Sequence, residues 1–597
     1  MAGMRSDAAV PSHRPPGLGR VTGRRRWVMP TVLAAVAVVG ATVLVVAFRA
    51  AGATTNRHCT GATTTITVVT SAETYDTMSG LGRRWTASGP TVAGHCAAVA
   101  VVRKESSEVA AALGPNWDAT RDGPRPDVWL ADSSLWLLVA GSRPDAQAML
   151  PGKSPSVASS PVVLALRKPQ AQALGWPQRT FGWEDGFGAF VKPDVWAQVG
   201  HPEWAALKLG MTEPTSSTPG LAAAVELLDA DGDGTLSDAE LTGSIGFTQA
   251  LGGLAPDTKA FFDEQANPAS TVAAFPAVER DVAAYDAGNP AVPMVPVYPS
   301  ANLISLDYPY AALNAPWVDN DRRSAAALFL QYLRGPAGRK AFSTDGFRGP
   351  DRTVKDAPTL ATNRGFRGSV AAPRTLPNVE GVNQIVTQWT ALQRQSNILV
   401  VLDTSGSMND PVPGTPMTRL QLLQQTASAG FSLLTNRTNI GLWQFSSQLT
   451  PTTDYRELVP YGNIAAPVGG VPRLKALLGA VAQLRANGGT GLYNTAYASW
   501  KAMQAQWTPN ATNAVLLITD GKDEDSAGMN RQQFIDRLTK ESLPDKPTLI
   551  IGIAVGPEAD ADALQQMSQV TGGRTFVARD PANAVRTLVL AFAGRLH

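Results

Sequence analysis

Two short stretches of this chain set hard oxygen donors at alternate positions. The first contains Asp229, Asp231 and Asp233; the second contains Asp403, Ser405 and Ser407. On a tight turn such spacing converges carboxylates and hydroxyls on one point, which is what a hard divalent cation requires. In SNILVVLDTSGSM the second set follows Asn397 to Leu402, an unbroken apolar run rich in β-branched residues. That run suits a strand buried on both faces of a parallel sheet and ending in a polar loop, with Gly406 letting the loop bend. The expected ion there is Mg²⁺ or Mn²⁺.

Around the first set, Asp229, Asp231, Asp233, Gly234, Thr235, Ser237 and Glu240 match the EF-hand loop at positions 1, 3, 5, 6, 7, 9 and 12. Ca²⁺ would draw together carboxylates that otherwise repel, take the Thr235 carbonyl, and be closed off by both oxygens of Glu240. Leu221 to Leu228 and Ala239 to Leu251 are the expected flanking helices, with Leu236 pointing into the core. The sequence has no second such loop, so a modest affinity and a structural role, tying one helix to the next, are expected.

Asp403, Ser405 and Ser407 are followed at a distance by Thr490 in NGGTGLYNT and by Asp520 in AVLLITDG. This pattern resembles the von Willebrand factor type A domain and its metal-ion-dependent adhesion site, over residues 396–597. Helix capping would explain one such residue, not five spread over three loops. The resemblance implies a doubly wound, Rossmann-like α/β fold with the site at the carboxyl edge of the sheet. Ser405, Ser407 and Thr490 would touch the ion directly, while Asp403 and Asp520 act through water or as acceptors. A protein partner would complete the coordination shell with its own Asp or Glu carboxylate.

These sites must be positioned by more than one core, because 597 residues exceed a single domain. A net charge of +2, with no basic stretch interleaved with aromatics, gives no reason to expect nucleic acid. Residues 1–26 read as a disordered cytoplasmic tail ending in arginines. Trp27 to Phe48 carries no charge over 22 residues, long enough to span a bilayer as a single-pass anchor with the bulk of the chain outside. Ala51 and Ala53 would suit a cleaved signal peptide, but the apolar segment is longer than such peptides carry. The two cysteines, Cys59 and Cys96, pair most simply as one disulfide in an oxidising compartment. A zinc set with the adjacent His58 and His95 fails, because neighbouring strand residues point to opposite faces.

From residue 59 to 370, β-branched runs alternate with helical stretches, which predicts an α/β domain built on parallel sheet. Small hydroxyl-rich turns lie just before its helices: Thr70 and Ser71, Ser133 and Ser134, Ser160 beside Ser159, and Ser217 and Thr218. Exposed N–H groups at such turns favour a carboxylate, sulfate or similar anion. The order of elements, including RPDVWLADSS and SPVVLALRKPQAQAL, resembles the two-lobed bacterial extracellular solute-binding proteins. That resemblance implies a small solute held between the lobes, with the hydroxyl turns around it. Residues 371–395 read as a linker and short helix between the two outer domains.

Nothing in the sequence supports catalysis. Gly152-Lys153-Ser154 lacks the glycine a phosphate loop needs at position 147, where Gln147 stands, and His201 alone sits in a domain core sequence. The expected function is membrane-anchored, metal-dependent capture of a protein partner. The alternative is an extracytoplasmic solute receptor or sensor.

Overall fold

The computed structural model describes Cys59 and residues 62–578, except 180–182, 184–189, 191, 193, 230, 268, 301–302, 355–356, 414, 433 and 556–558. The anchor expected over residues 27–48 lies outside the described residues. Among the described residues, no helix is long and apolar enough to cross a membrane.

The first lobe is built on strand Thr63–Thr70, which pairs in parallel with His95–Arg103 and Val128–Leu130. Ile66, Val68 and Val69 are buried in its core beside Trp85 and Trp129. In the second lobe the parallel expectation holds only in part: strand Lys208–Thr212 pairs in parallel with Leu251–Ala255 and Val272–Val278. Strand Ser160–Arg167 runs antiparallel to both Val272–Val278 and Met294–Val297. Its partners come from more than a hundred residues further along the chain, so the local alternation of strand and helix does not report the pairing direction. Leu251, expected to end a helix, instead begins strand Leu251–Ala255.

In the C-terminal domain six strands lie in one sheet, ordered Tyr455–Asn463, Thr438–Phe445, Gln395–Asp403, Ala511–Thr519, Leu549–Val555 and Thr575–Ala578. Only the first of these pairs antiparallel; the other neighbours are parallel. The central strand Gln395–Asp403 is apolar at successive positions because both faces are covered. Val400 and Leu402 join Leu423, Phe431 and Leu477 on one side, while Leu399 and Val401 join Trp500, Phe534 and Leu564 on the other.

The helix Val379–Gln393 belongs to the lobed domain by packing, since Val382, Ile385 and Trp389 are part of its core. Trp389 Nε1 donates to Glu213 Oε1 at 2.9 Å. Cys59 and Cys96 form a disulfide across 37 residues. Reduction, or Cys96→Ala, is expected to lower the stability of the lobed domain by about 4 kcal/mol through release of that loop. Urea unfolding with and without reductant reads the shift.

Candidate metal centres and the interlobe cleft

The register of two buried strands assembles the C-terminal site. Leu402 pairs with Ile518, so the chain leaves both strands at the same edge of the sheet, at Asp403 and Asp520. Asp403 Oδ1 accepts from the Ser405 N–H at 2.8 Å, and Oδ2 accepts from the Thr519 hydroxyl. Ser405 Oγ lies 3.1 Å from Ser407 Oγ, which donates to Asp520 Oδ1 at 2.9 Å. The third loop brings Thr490: a methyl group placed on Gly521 would stand 3.0 Å from Thr490 Oγ1 and 3.8 Å from Ser407 Oγ. Three hydroxyls and two buried carboxylates thus meet at one edge, a donor set that fits a hard divalent ion. Burial pushes the Asp403 carboxyl up to about 6.

One functional residue was not anticipated. Arg419, itself buried, donates through Nη1 to Asp520 Oδ2 at 2.8 Å and lies 3.9 Å from Asp410. A buried arginine beside a buried carboxylate offsets its charge. Its signal in the sequence was weak, an arginine at the start of a helix following a polar loop.

In the lobed domain the acidic loop joins helix Thr218–Leu228 to helix Asp238–Ala250. Carboxylate oxygens of Asp229, Asp231 and Asp233 lie within 4.8 Å of one another. Gly234, at φ +80°, makes the turn and donates its N–H to Asp229 Oδ1 at 3.0 Å. Glu240 reaches back over the loop, with Oε1 3.4 Å from the Asp231 N–H and Oε2 accepting from Ser237 N and Oγ at 2.9 and 2.7 Å. Thr235 N and Oγ1 both donate to Asp233 Oδ1 at 2.7 Å. Leu236 packs against the core.

Residues 66–348 match the family model for bacterial extracellular solute-binding proteins, and residues 397–589 match that for the von Willebrand factor type A domain. The chain joins these two domains. An uncharacterized protein of Mycobacterium tuberculosis, found in strains CDC 1551 and H37Rv, is 26% identical over 593 residues, covering 94% of this chain and 83% of its own. Among solved structures, iron-bound HitA from Pseudomonas aeruginosa is similar at 13% identity and TM-score 0.39, over 55% of this chain and 99% of its own. A von Willebrand factor type A protein from Catenulispora acidiphila is similar at 19% identity and TM-score 0.27, over 34% of this chain and 42% of its own.

Between the lobes of the solute-binding domain, the hydroxyl turns meet a buried carboxylate, Asp132. Ser71 Oγ donates to Oδ1 at 2.5 Å, while Ser106 Oγ and Thr218 Oγ1 donate to Oδ2 at 2.9 and 3.0 Å. Ser71 and Ser106 belong to the first lobe and Thr218 to the second, so Asp132 ties the lobes together. The other turns are spent elsewhere. Ser134 donates to Asp307 Oδ2 at 2.5 Å, Ser217 donates to Thr212 Oγ1 at 2.8 Å, and Thr70 donates to the Leu130 carbonyl while accepting from the Thr74 hydroxyl. Ser133 Oγ caps Leu135 N–H at 3.2 Å, and Ser160 Oγ accepts from Arg280 N at 3.3 Å. Nearby, Tyr308 donates to Glu73 Oε1 at 2.6 Å and Arg280 pairs with Asp281 at 3.0 Å. Asp132 could have been singled out from RPDVWLADSS, because like Asp403 and Asp520 it is an acid just past the end of a buried strand. His201 stacks on Trp204 and pairs with Glu203 at 2.8 Å, away from this cluster.

Two outcomes follow from these buried charges. Arg419→Met strips the cation from Asp520 and is expected to cost the type A domain about 3–5 kcal/mol, read by urea unfolding. Burial pushes Asp132 up to about 6, so the folded state holds that proton more tightly than the unfolded chain does. Its contribution to stability is therefore lost as pH rises from about 4 to about 6, by roughly 3 kcal/mol, and is constant above. Thermal unfolding of the lobed domain across that range should show the decline, and Asp132→Asn should lessen it by about that amount.

Proposed function

We propose that this chain is a membrane-anchored extracellular binding protein that captures a protein partner through a divalent ion in its type A domain. The observation that carries this reading is the meeting of Ser405, Ser407 and Thr490 hydroxyls, drawn from two loops, over the buried carboxylates Asp403 and Asp520. Mg²⁺ or Mn²⁺, when bound, supplies an electrophilic centre that accepts a carboxylate oxygen. The three hydroxyls are the groups that would hold it. Asp403 fixes the Ser405 backbone, and Asp520 accepts the hydrogen bond of the Ser407 hydroxyl so that the lone pairs of that oxygen face outward. Arg419 offsets Asp520, keeping the donor set low in negative charge. A site of low net charge retains attraction for an external Asp or Glu side chain, which is the recognition proposed. In the other domain, the loop from Asp229 to Glu240 is read as a Ca²⁺ site that fixes two helices.

A second reading, an extracytoplasmic solute receptor or sensor, is favoured by Asp132, whose hydroxyl partners come from both lobes. Glu73, beside both Asp132 and Asp281, adds a further carboxyl group, with the guanidinium of Arg280 acting on it with the opposite sign. Such a cleft favours a ligand that donates hydrogen bonds or carries positive charge over the anion that the hydroxyl turns suggest.

Calorimetric titration of the full-length chain tests the main reading. Mg²⁺ binding is expected to weaken at least tenfold in Asp403→Ala and to be unchanged in Glu240→Gln. Mg²⁺ heats that survive Asp403→Ala intact would refute it.

A further inference from the structure

On its inner side, the acidic loop of the solute-binding domain is held by a residue from the segment that leads toward the type A domain. Arg374 Nη2 donates to Asp229 Oδ2 at 2.6 Å, and Nη1 donates to the Asp229 carbonyl at 2.7 Å. Its side chain is only 4% exposed, and Nη1 stands 3.5 Å from Glu226 Oε2. The neighbouring residues dock beside it. A methyl on Gly232 would stand 3.1 Å from Arg374 Nη2, and one on Gly381 would stand 2.5 Å from the Gly234 carbonyl. The Arg374 N–H also donates to the Leu303 carbonyl at 3.0 Å. The inner side of the loop is thus the dock for residues 374–381.

This docking leaves buried polar atoms unsatisfied. Arg374 Nε and Glu226 Oε1, on side chains that are both nearly inaccessible, have no hydrogen-bond partner. Unpaired buried groups carry a standing cost, so the docked arrangement is open to exchange for a better-satisfied one. Asp229 Oδ1 accepts from the Gly234 N–H, so Oδ2 is the oxygen that carries no hydrogen bond from the loop itself. That oxygen is the one Arg374 holds. A guanidinium and a divalent cation on the same carboxylate repel one another at short range.

We propose that Arg374 is the resident counter-cation of the acidic loop, and that Ca²⁺ exchanges with it and releases residues 371–378, the strap that leads into helix Val379–Gln393. The inference rests on the reading of residues 229–240 as a Ca²⁺ loop. Helix Val379–Gln393 stays seated through Val382, Ile385 and Trp389, so the release is confined to the strap. Linkage makes the effect reciprocal: loss of the arginine contact tightens Ca²⁺ binding as much as Ca²⁺ loosens the strap.

The experiment uses the full-length chain and two readouts. In calorimetric Ca²⁺ titration, Glu240→Gln is expected to abolish binding and Arg374→Gln to tighten it about tenfold. In hydrogen exchange of the unmodified protein, saturating Ca²⁺, but not Mg²⁺, is expected to speed exchange over residues 371–378. Ca²⁺ binding that survives Glu240→Gln overturns the loop reading itself. Binding lost in Glu240→Gln, but unchanged or weakened in Arg374→Gln, overturns the exchange while leaving the loop reading intact. So does hydrogen exchange over 371–378 that Ca²⁺ leaves unaltered, which decides the matter alone if Arg374→Gln does not fold.

Discussion

The parallel register between strands Gln395–Asp403 and Ala511–Thr519 is the constraint on which the type A site depends. From Ile398 to Leu402 and from Ala514 to Ile518 the side chains are apolar and covered on both faces, so a slip of one residue would turn every side chain to the opposite layer. With the register fixed, Asp403 and Asp520 emerge together at the carboxyl edge. Two buried carboxylates so close need compensation. The Ser405 N–H and the Thr519 hydroxyl supply it for Asp403, and the Ser407 hydroxyl and Arg419 supply it for Asp520. The hydroxyl-lined spot above them is therefore a consequence of core packing as much as of the loop sequence.

The same device recurs in the solute-binding domain with a different outcome. Asp132 also follows a buried strand, but among the described residues it is hydroxyls from two lobes that satisfy it. A carboxylate bridged by neutral donors from two bodies holds those bodies together, and any ligand entering there must replace those donors. The acidic loop shows a third solution, in which a remote arginine satisfies the first carboxylate, Asp229. Each site is a buried acid at the end of an element; what neutralises it distinguishes a scaffold from an exchangeable centre.

Both domains and the loop of Asp403, Ser405 and Ser407 were legible in the sequence because their signals are local, whereas Thr490 and Asp520, 87 and 117 residues beyond Asp403, came only with the family resemblance. An apolar run, a turn glycine and alternate oxygen donors lie within a dozen residues of one another. The strand pairing of the second lobe was not legible, since Ser160–Arg167 finds its partners over a hundred residues away. Arg419 and Arg374 were missed for the same reason. Their carboxylates lie 101 and 145 residues away, and a lone arginine near a helix or in a Pro-rich segment reads as solvated. The hydroxyl turns were visible as residues, yet their partners Asp132 and Asp307 come from other strands, so their chemistry was not.

The most direct measurement is anomalous diffraction from crystals of the full-length chain soaked in Mn²⁺. A peak within coordination distance of Ser405 Oγ, Ser407 Oγ and Thr490 Oγ1, with Asp403 and Asp520 beyond it, is the expected result. A protein that binds Mn²⁺ with no density at that edge would contradict a metal-dependent adhesion site.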